Sequence, residues 1–256
     1  MTVWPIYKKE LRLYFTTPLA WAVIFIFVLV MGFFFWLYFT IFTRASMQAA
    51  MNPAMARDLS VIEYVMRPLF SGFLSVILFL SLVPAITMRL VSEERRSGTL
   101  ELLMTHPVTD GAIVMGKFLG ALTLYAVMLA VTLIHVALLF VYGRPEWKPL
   151  LTSYLGLLLL GGCFISVGMF ISTLTKNQVV SFMATFGMFL FLWVITWIGS
   201  VIPSIEGLVT YLSIIDHYED FNKGVVDTTH LIYYISFITF GLFLTAKSVD
   251  TERWRG

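Results

Sequence analysis

A chain of 256 residues that is 59% hydrophobic and only 12% charged, with a mean hydropathy of +0.88, is not a soluble globular domain, which carries about 25% charged residues. Its apolar runs are far longer than barrel strands, so the composition points to a helical integral membrane protein with no nucleic-acid partner. The single cysteine, Cys163, excludes an internal disulfide and a cysteine metal cluster, and the net charge of +2 says little until its distribution is read.

The chain opens on Trp4, Tyr7, Leu11, Tyr14 and Phe15 at three- and four-residue steps, with Lys8, Lys9 and Arg12 on other faces. The pattern predicts a helix over residues 1–18 that lies in the headgroup plane and ends near Pro18. This segment is too mixed for the apolar stretch of a cleavable signal peptide, and none is expected. Six apolar runs follow: Leu19–Phe42, Leu69–Met88, Met115–Tyr142, Leu150–Thr173, Val179–Ile202 and Leu231–Lys247. Each can cover the ~30 Å hydrocarbon core at ~1.5 Å per residue. In the first run, Phe33, Phe34, Phe35 and Trp36 form an aromatic band expected to face lipid or another subunit. The loop Thr43–Arg67 is polar, with a faint helical pattern near Asp58–Met66.

The densest charged segment is the loop 92–110 between the second and third runs. Ser97-Gly98-Thr99 breaks the chain and offers a helix N-cap. Thr99–Met104 then reads as a short helix that Pro107 stops. Leu100, Leu102 and Leu103, with Glu101 beside them, leave more apolar surface than a free loop exposes, so this segment is expected to dock on a cytosolic partner.

Gly111 to Phe118 almost spells a phosphate-binding loop, but Phe118 stands where a hydroxyl would ligate magnesium, and no strand precedes it. Asp110 is expected to cap the third span, and Gly116 with Gly120 to form a close-packing face. His135 lies inside that span, where a hydrogen-bonded neutral histidine is the simplest reading. Gly161, Gly162, Ser166, Gly168 and Ser172 are expected to seat the fourth span on its neighbours, with Cys163 among them as a small buried hydrophobe. The 13 methionines are scattered and read as packing residues.

Residues 203–229 are unusual for a loop. Gly207 to Ile215 is too apolar to be free and too short to span, which predicts a re-entrant or interfacial element. Asp216-His217-Tyr218-Glu219-Asp220 follows, then a turn at Lys223-Gly224. The acids and His217 fit no zinc or calcium spacing and read better as a structural element or a partner contact.

Six spans place both termini on one side. With the N-terminus inside, the inner segments hold Lys8, Lys9, Arg12, Arg89, Arg95, Arg96, Lys117, Lys176, Lys247, Arg253 and Arg255, against Arg44, Arg57, Arg67, Arg144, Lys148 and Lys223 outside. The excess favours cytoplasmic termini.

Four segments together resemble the permease subunits of the ABC-2 family of ABC transporters: residues 9–20, 92–103, 174–178 and 215–227. The last resembles the branch that holds the gliding-motility permease and the copper-related permease of nitrous-oxide-reductase maturation. The resemblance implies an all-α integral membrane protein with six transmembrane helices of ABC-2 (type V ABC exporter) architecture, a single permease domain over residues 1–256. It implies an N-terminal interfacial helix, a cytoplasmic coupling helix in the loop 92–110, and outer re-entrant half-helices in 203–229. It further implies a bacterial inner-membrane location, a second permease copy or close homologue, and two copies of a cytosolic ATPase that bring ATP and magnesium, this chain holding no cofactor. A periplasmic or membrane auxiliary protein is a further candidate partner.

On that reading the ATPase contacts are Glu93, Glu94, Gly98, Thr99, Leu100, Glu101, Leu102 and Leu103. Asp216, His217, Glu219 and Asp220 are the candidate outer contacts. The expected function is to couple ATP hydrolysis by the separate ATPase to export or to mechanical transmission; the chain itself is not an enzyme. Two rivals are an intramembrane enzyme and a secondary transporter. The first needs a nucleophile and base within the bilayer, and the second needs midplane carboxylates and repeats. Every Asp and Glu falls outside the six runs, and no repeat is evident.

Overall fold

The computed structural model describes residues 3–51, 60–100, 108–142, 145–201 and 206–253. All regular structure among them is helical, and six helical segments are long and apolar enough to cross a membrane.

The N-terminal helix α1 (Val3–Thr16) leads through Thr17 into α2 (Pro18–Met51). Pro18 opens α2 because its fixed φ and missing N–H suit a first helical position. At ~1.5 Å per residue the 34 residues of α2 reach roughly 50 Å, well beyond the expected end at Phe42. The aromatic band divides: Phe33 and Trp36 are exposed, whereas Phe34 and Phe35 are buried. Four consecutive residues cover more than one full helical turn, so they cannot share one face.

The second spanning segment is interrupted. A π-helical turn (Ile62–Met66) runs into α3 (Arg67–Ser71), and Gly72, with ψ 148°, bends the chain into α4 (Phe73–Thr87). After the turn 88–91 comes α5 (Ser92–Ser97), which the expected coupling helix did not include. It ends on Gly98 in the left-handed region (φ 71°), where glycine carries no Cβ penalty. The expected coupling helix Thr99–Met104 and its stop at Pro107 fall largely on residues 101–107, outside the described residues.

Next come α6 (Asp110–Tyr142), α7 (Trp147–Thr173) and α8 (Gln178–Val201). Thr109 rather than Asp110 caps α6, its hydroxyl accepting the Ala112 N–H at 3.3 Å while Asp110 sits in the first turn. Asn177 caps the following turn, accepting the Val179 N–H at 2.9 Å. Helix α7 is the central element. Gly161 faces Tyr125 of α6, Gly162 faces the last spanning helix, and Gly168 faces Thr87 of α4. The small-residue pattern therefore seats helices within one subunit. Cys163 is buried there.

Two short helices, α9 (Glu206–Leu212) and α10 (Asp216–Asn222), precede the last span, α11 (Thr228–Arg253). Seven residues extend only ~10 Å, far too little to cross a bilayer. The turn expected at Lys223-Gly224 is present, with Gly224 at φ 92°. The short helices fold onto the ends of longer ones. Thr152 donates to the Phe221 carbonyl at 2.8 Å, Asn222 Nδ2 to Ser71 Oγ at 3.0 Å, and Tyr234 to the Ile214 carbonyl at 2.8 Å.

Candidate functional site

The α5 end of the bundle is organised by a buried charge cluster, assembled from three elements. On α6, Gly116 and Gly120 lie four residues apart and so face the same way. On α1, Ile6 and Glu10 do the same. A Cβ at Gly116 would stand 2.8 Å from Ile6 Cβ, and one at Gly120 would stand 2.7 Å from Glu10 Cβ. The two glycines therefore let α1 lie directly on α6. Their small-residue face seats the N-terminal helix rather than another span. The contact buries Ile6 and Glu10, leaving Trp4 and Phe15 of the expected aromatic stripe exposed.

That close approach brings Glu10 to Lys117, which is 2% exposed. Lys117 Nζ lies 2.8 Å from Glu10 Oε1 and 2.9 Å from Glu94 Oε2 on α5. Lys9 Nζ reaches the other oxygen of Glu94 at 2.7 Å. Two ammonium groups and two carboxylates alternate along Lys9–Glu94–Lys117–Glu10, so the cluster is neutral. Beside it, Arg89 holds Glu93 through Nε at 2.7 Å and Nη2 at 3.2 Å. Tyr14 donates to the Ile86 carbonyl at 3.2 Å. These groups border a cavity of about 270 Å³.

Helix α5 is also tied to α7. Ser172 Oγ accepts the N–H groups of Val91 at 3.2 Å and Ser92 at 3.0 Å, and Arg95 donates to the Thr173 carbonyl. Ion pairs thus hold α5 to α1 and α6, and hydrogen bonds hold it to α7. A buried ion pair adds little net stability because desolvation offsets its attraction, but removing one partner strands a buried charge. The arrangement pins α5 to three helices at once, α1, α6 and α7.

The expected ATPase contacts are divided by this geometry. Glu94 and Leu100 turn inward: Glu94 finds two ammonium groups, and Leu100, 4% exposed, joins the hydrophobic core. Neither presents a surface to a partner. Glu93 is half-exposed in its pair with Arg89, Gly98 closes α5, and Thr99 is exposed with its hydroxyl 2.8 Å from Ser97 Oγ. Glu101, Leu102 and Leu103 lie outside the described residues. The sequence reading missed Glu10 and the role of Lys117. The signal was present in a lysine beside two glycines spaced for close packing, because a charge in such a place requires a partner. The loop resemblance at Gly111 to Phe118 dissolves, since these residues are the first turns of α6.

At the opposite end, the four candidate outer residues sit on α10. Glu219 and Asp220 are accessible, and Lys223 Nζ lies 3.4 Å from one and 3.8 Å from the other. Asp216 is half-buried, and burial raises its carboxyl above the usual range. His217 is 7% exposed. Its Nε2 lies 3.1 Å from the Tyr211 carbonyl, and its Nδ1 lies 2.6 Å from Nδ1 of His230. His230 Nε2 in turn lies 2.9 Å from Asp220 Oδ2. His230, thirteen residues on in the first turn of α11, was not singled out in the sequence. His135 packs its ring 4.7 Å from that of Phe35. Among the described residues, no group of three or more His, Cys, Asp or Glu is disposed to hold a metal ion.

Residues 4–247 match the family model described as ABC-2 family transporter protein. The probable multidrug ABC transporter permease YbhR of Escherichia coli (strain K12) is 26% identical over 149 residues, or 56% of this chain and 39% of that protein. The protein of the same name in Escherichia coli O157:H7 gives the same figures. The matched segment thus spans about two fifths of the length of these curated relatives.

Proposed function

The chain belongs to the ABC-2 transporter family, and from that premise we propose that it is a permease subunit that couples ATP hydrolysis on a separate cytosolic ATPase to export or to mechanical work across the membrane. Two ATPase copies would carry the ATP and magnesium, and a second permease copy or close homologue would complete the membrane part. The exposed apolar faces of α2, α8 and α11 are available to lipid and to that second copy. The resemblance of residues 215–227 to the gliding-motility and nitrous-oxide-reductase-maturation branch supports an output delivered to a periplasmic or membrane auxiliary protein.

The observation that carries the reading is the Lys9–Glu94–Lys117–Glu10 cluster. It fastens α5, the helix leading into the loop that would meet the ATPase, to α1 and to the start of α6. A push on that loop reaches the connecting helix and a membrane span together. Energy coupling then requires only that the two ATPase states favour different permease states.

The reading places the α5 end in the cytosol of a bacterium, with both termini on that side. Cysteines introduced at Ser97 and Glu219 test this, the lone native thiol at Cys163 being buried. An impermeant maleimide added to intact spheroplasts is expected to label the Glu219 position alone, and to label the Ser97 position only after the membrane is opened. Labelling of Ser97 in sealed spheroplasts would place the α5 end on the wrong side for an ATPase and end the reading.

A further inference from the structure

We propose that His217 and His230 bind a single shared proton, which latches the short helices α9 and α10 to the last span. A backbone carbonyl only accepts, so His217 Nε2, 3.1 Å from the Tyr211 carbonyl, carries a hydrogen. His230 Nε2 faces Asp220 Oδ2 at 2.9 Å, and the other Asp220 oxygen lies 3.8 Å from Lys223 Nζ. With the Lys223 ammonium on the carboxylate's far side, Oδ2 is placed to accept, so His230 Nε2 also carries a hydrogen. Both Nε2 positions are thus committed, and the two Nδ1 atoms face each other at 2.6 Å.

At that separation the proton count is fixed. With no proton between them, two lone pairs collide, and with two, a pair of N–H groups collides. One proton satisfies both nitrogens, leaving the pair with a single positive charge opposite Asp220. The device joins three elements: the Tyr211 carbonyl on α9, His217 and Asp220 on α10, and His230 on α11. Tyr233 and Tyr234 reinforce it from α11 by donating to the Leu212 and Ile214 carbonyls, both at 2.8 Å.

The remaining charged groups near the pair are Asp216 and Glu219 on α10, Lys223 just after it, and Asp227 before α11. From the helices packed against α10 come Arg67, ion-paired with Glu63 at 3.1 Å, and Lys148 at the start of α7. Burial pushes His217 below the ordinary histidine value of 6.5, with the neighbouring His230 adding to the effect. A second proton is therefore resisted in the folded state. Stability is lost as the pH falls far enough to force that second proton onto the pair, and, because the folded pair holds one proton that two neutral histidines of the unfolded chain lack, it is lost again as the pH rises and the shared proton leaves. The proposal stands on this geometry and is independent of the ATPase reading.

The chain has 4 histidines, so selective ¹⁵N-histidine labelling in metal-free nanodiscs tests the proposal directly. The expected result is a ¹⁵N–¹⁵N coupling across the hydrogen bond between the two Nδ1 atoms, with both Nε2 protonated. Amide-exchange protection of residues 206–230, corrected for intrinsic rates, should fall about tenfold or more on either side of the coupled pH window, the scale of one lost charge-assisted hydrogen bond. His217→Gln/His230→Gln should flatten that profile. Two rings that titrate independently without coupling would overturn the proposal. So would flat protection in the wild type, or a coupled pair seen only after zinc is added. The wild-type coupling decides the matter even if the double variant fails to insert.

Discussion

Replacing Lys117 by methionine is expected to destabilise the protein by about 3–5 kcal/mol, the cost of breaking a buried ion pair from one side. Methionine keeps most of the side-chain volume, so the loss reports charge rather than a cavity. Glu10 is 5% exposed and Glu94 8%, so neither can recover water without disrupting α1 or α5. The double variant Lys117→Met/Glu10→Gln removes one cation and one anion and leaves Lys9 with Glu94. Most of the lost stability should return in it. Thermal unfolding of the four proteins of this cycle, in nanodiscs, checks the expectation. Equal stability of the single variant and wild type would show that Lys117 is not the centre of the junction.

Leu100→Ala is expected to cost about 2–5 kcal/mol, the range for truncating a fully buried leucine. Leu100 belongs to the main hydrophobic core at 4% exposure, although it sits only two residues beyond the glycine that ends α5. A free loop would tolerate the change with almost no effect. The same unfolding experiment separates the two outcomes, and a stability unchanged by the substitution would contradict the inward placement of Leu100. It follows that a leucine in this loop tests partner binding only where its removal leaves the fold intact.

The sequence made the spanning segments legible because a ~30 Å apolar layer demands long apolar runs and little else. The short helices before the last span were legible for a related reason, since Gly207 to Ile215 is too apolar to be free and too short to cross. What stayed hidden was direction and pairing. The rise of α2 past Phe42 and the bend at Gly72 are settled by neighbours rather than by local composition. The partition of Phe33–Trp36 followed from helical rotation, which a band read as a unit conceals. Glu10 and Lys117 are 107 residues apart and meet only because two glycines let α1 lie against α6. His217 and His230 are close in sequence, but their meeting depends on the turn at Gly224 and on the packing of α10 against α7. Charge partners across such separations are invisible to periodicity, which registers faces and not the neighbours that cover them.

On the proposed function, the loop 92–110 transmits the work of a separate ATPase to this chain. The most direct measurement is the ATP hydrolysis of the reconstituted complex carrying Leu102→Ala/Leu103→Ala, with Leu100 left in place to preserve the core. Apolar anchors of this kind are worth roughly 1.5–3 kcal/mol each when fully buried, and a few of them dominate an interface. The variant permease is expected to keep wild-type thermal stability while losing co-purification with the ATPase or, if the complex persists, its stimulation of hydrolysis. A fully assembled complex that hydrolyses ATP at the wild-type rate and retains downstream activity would contradict the account.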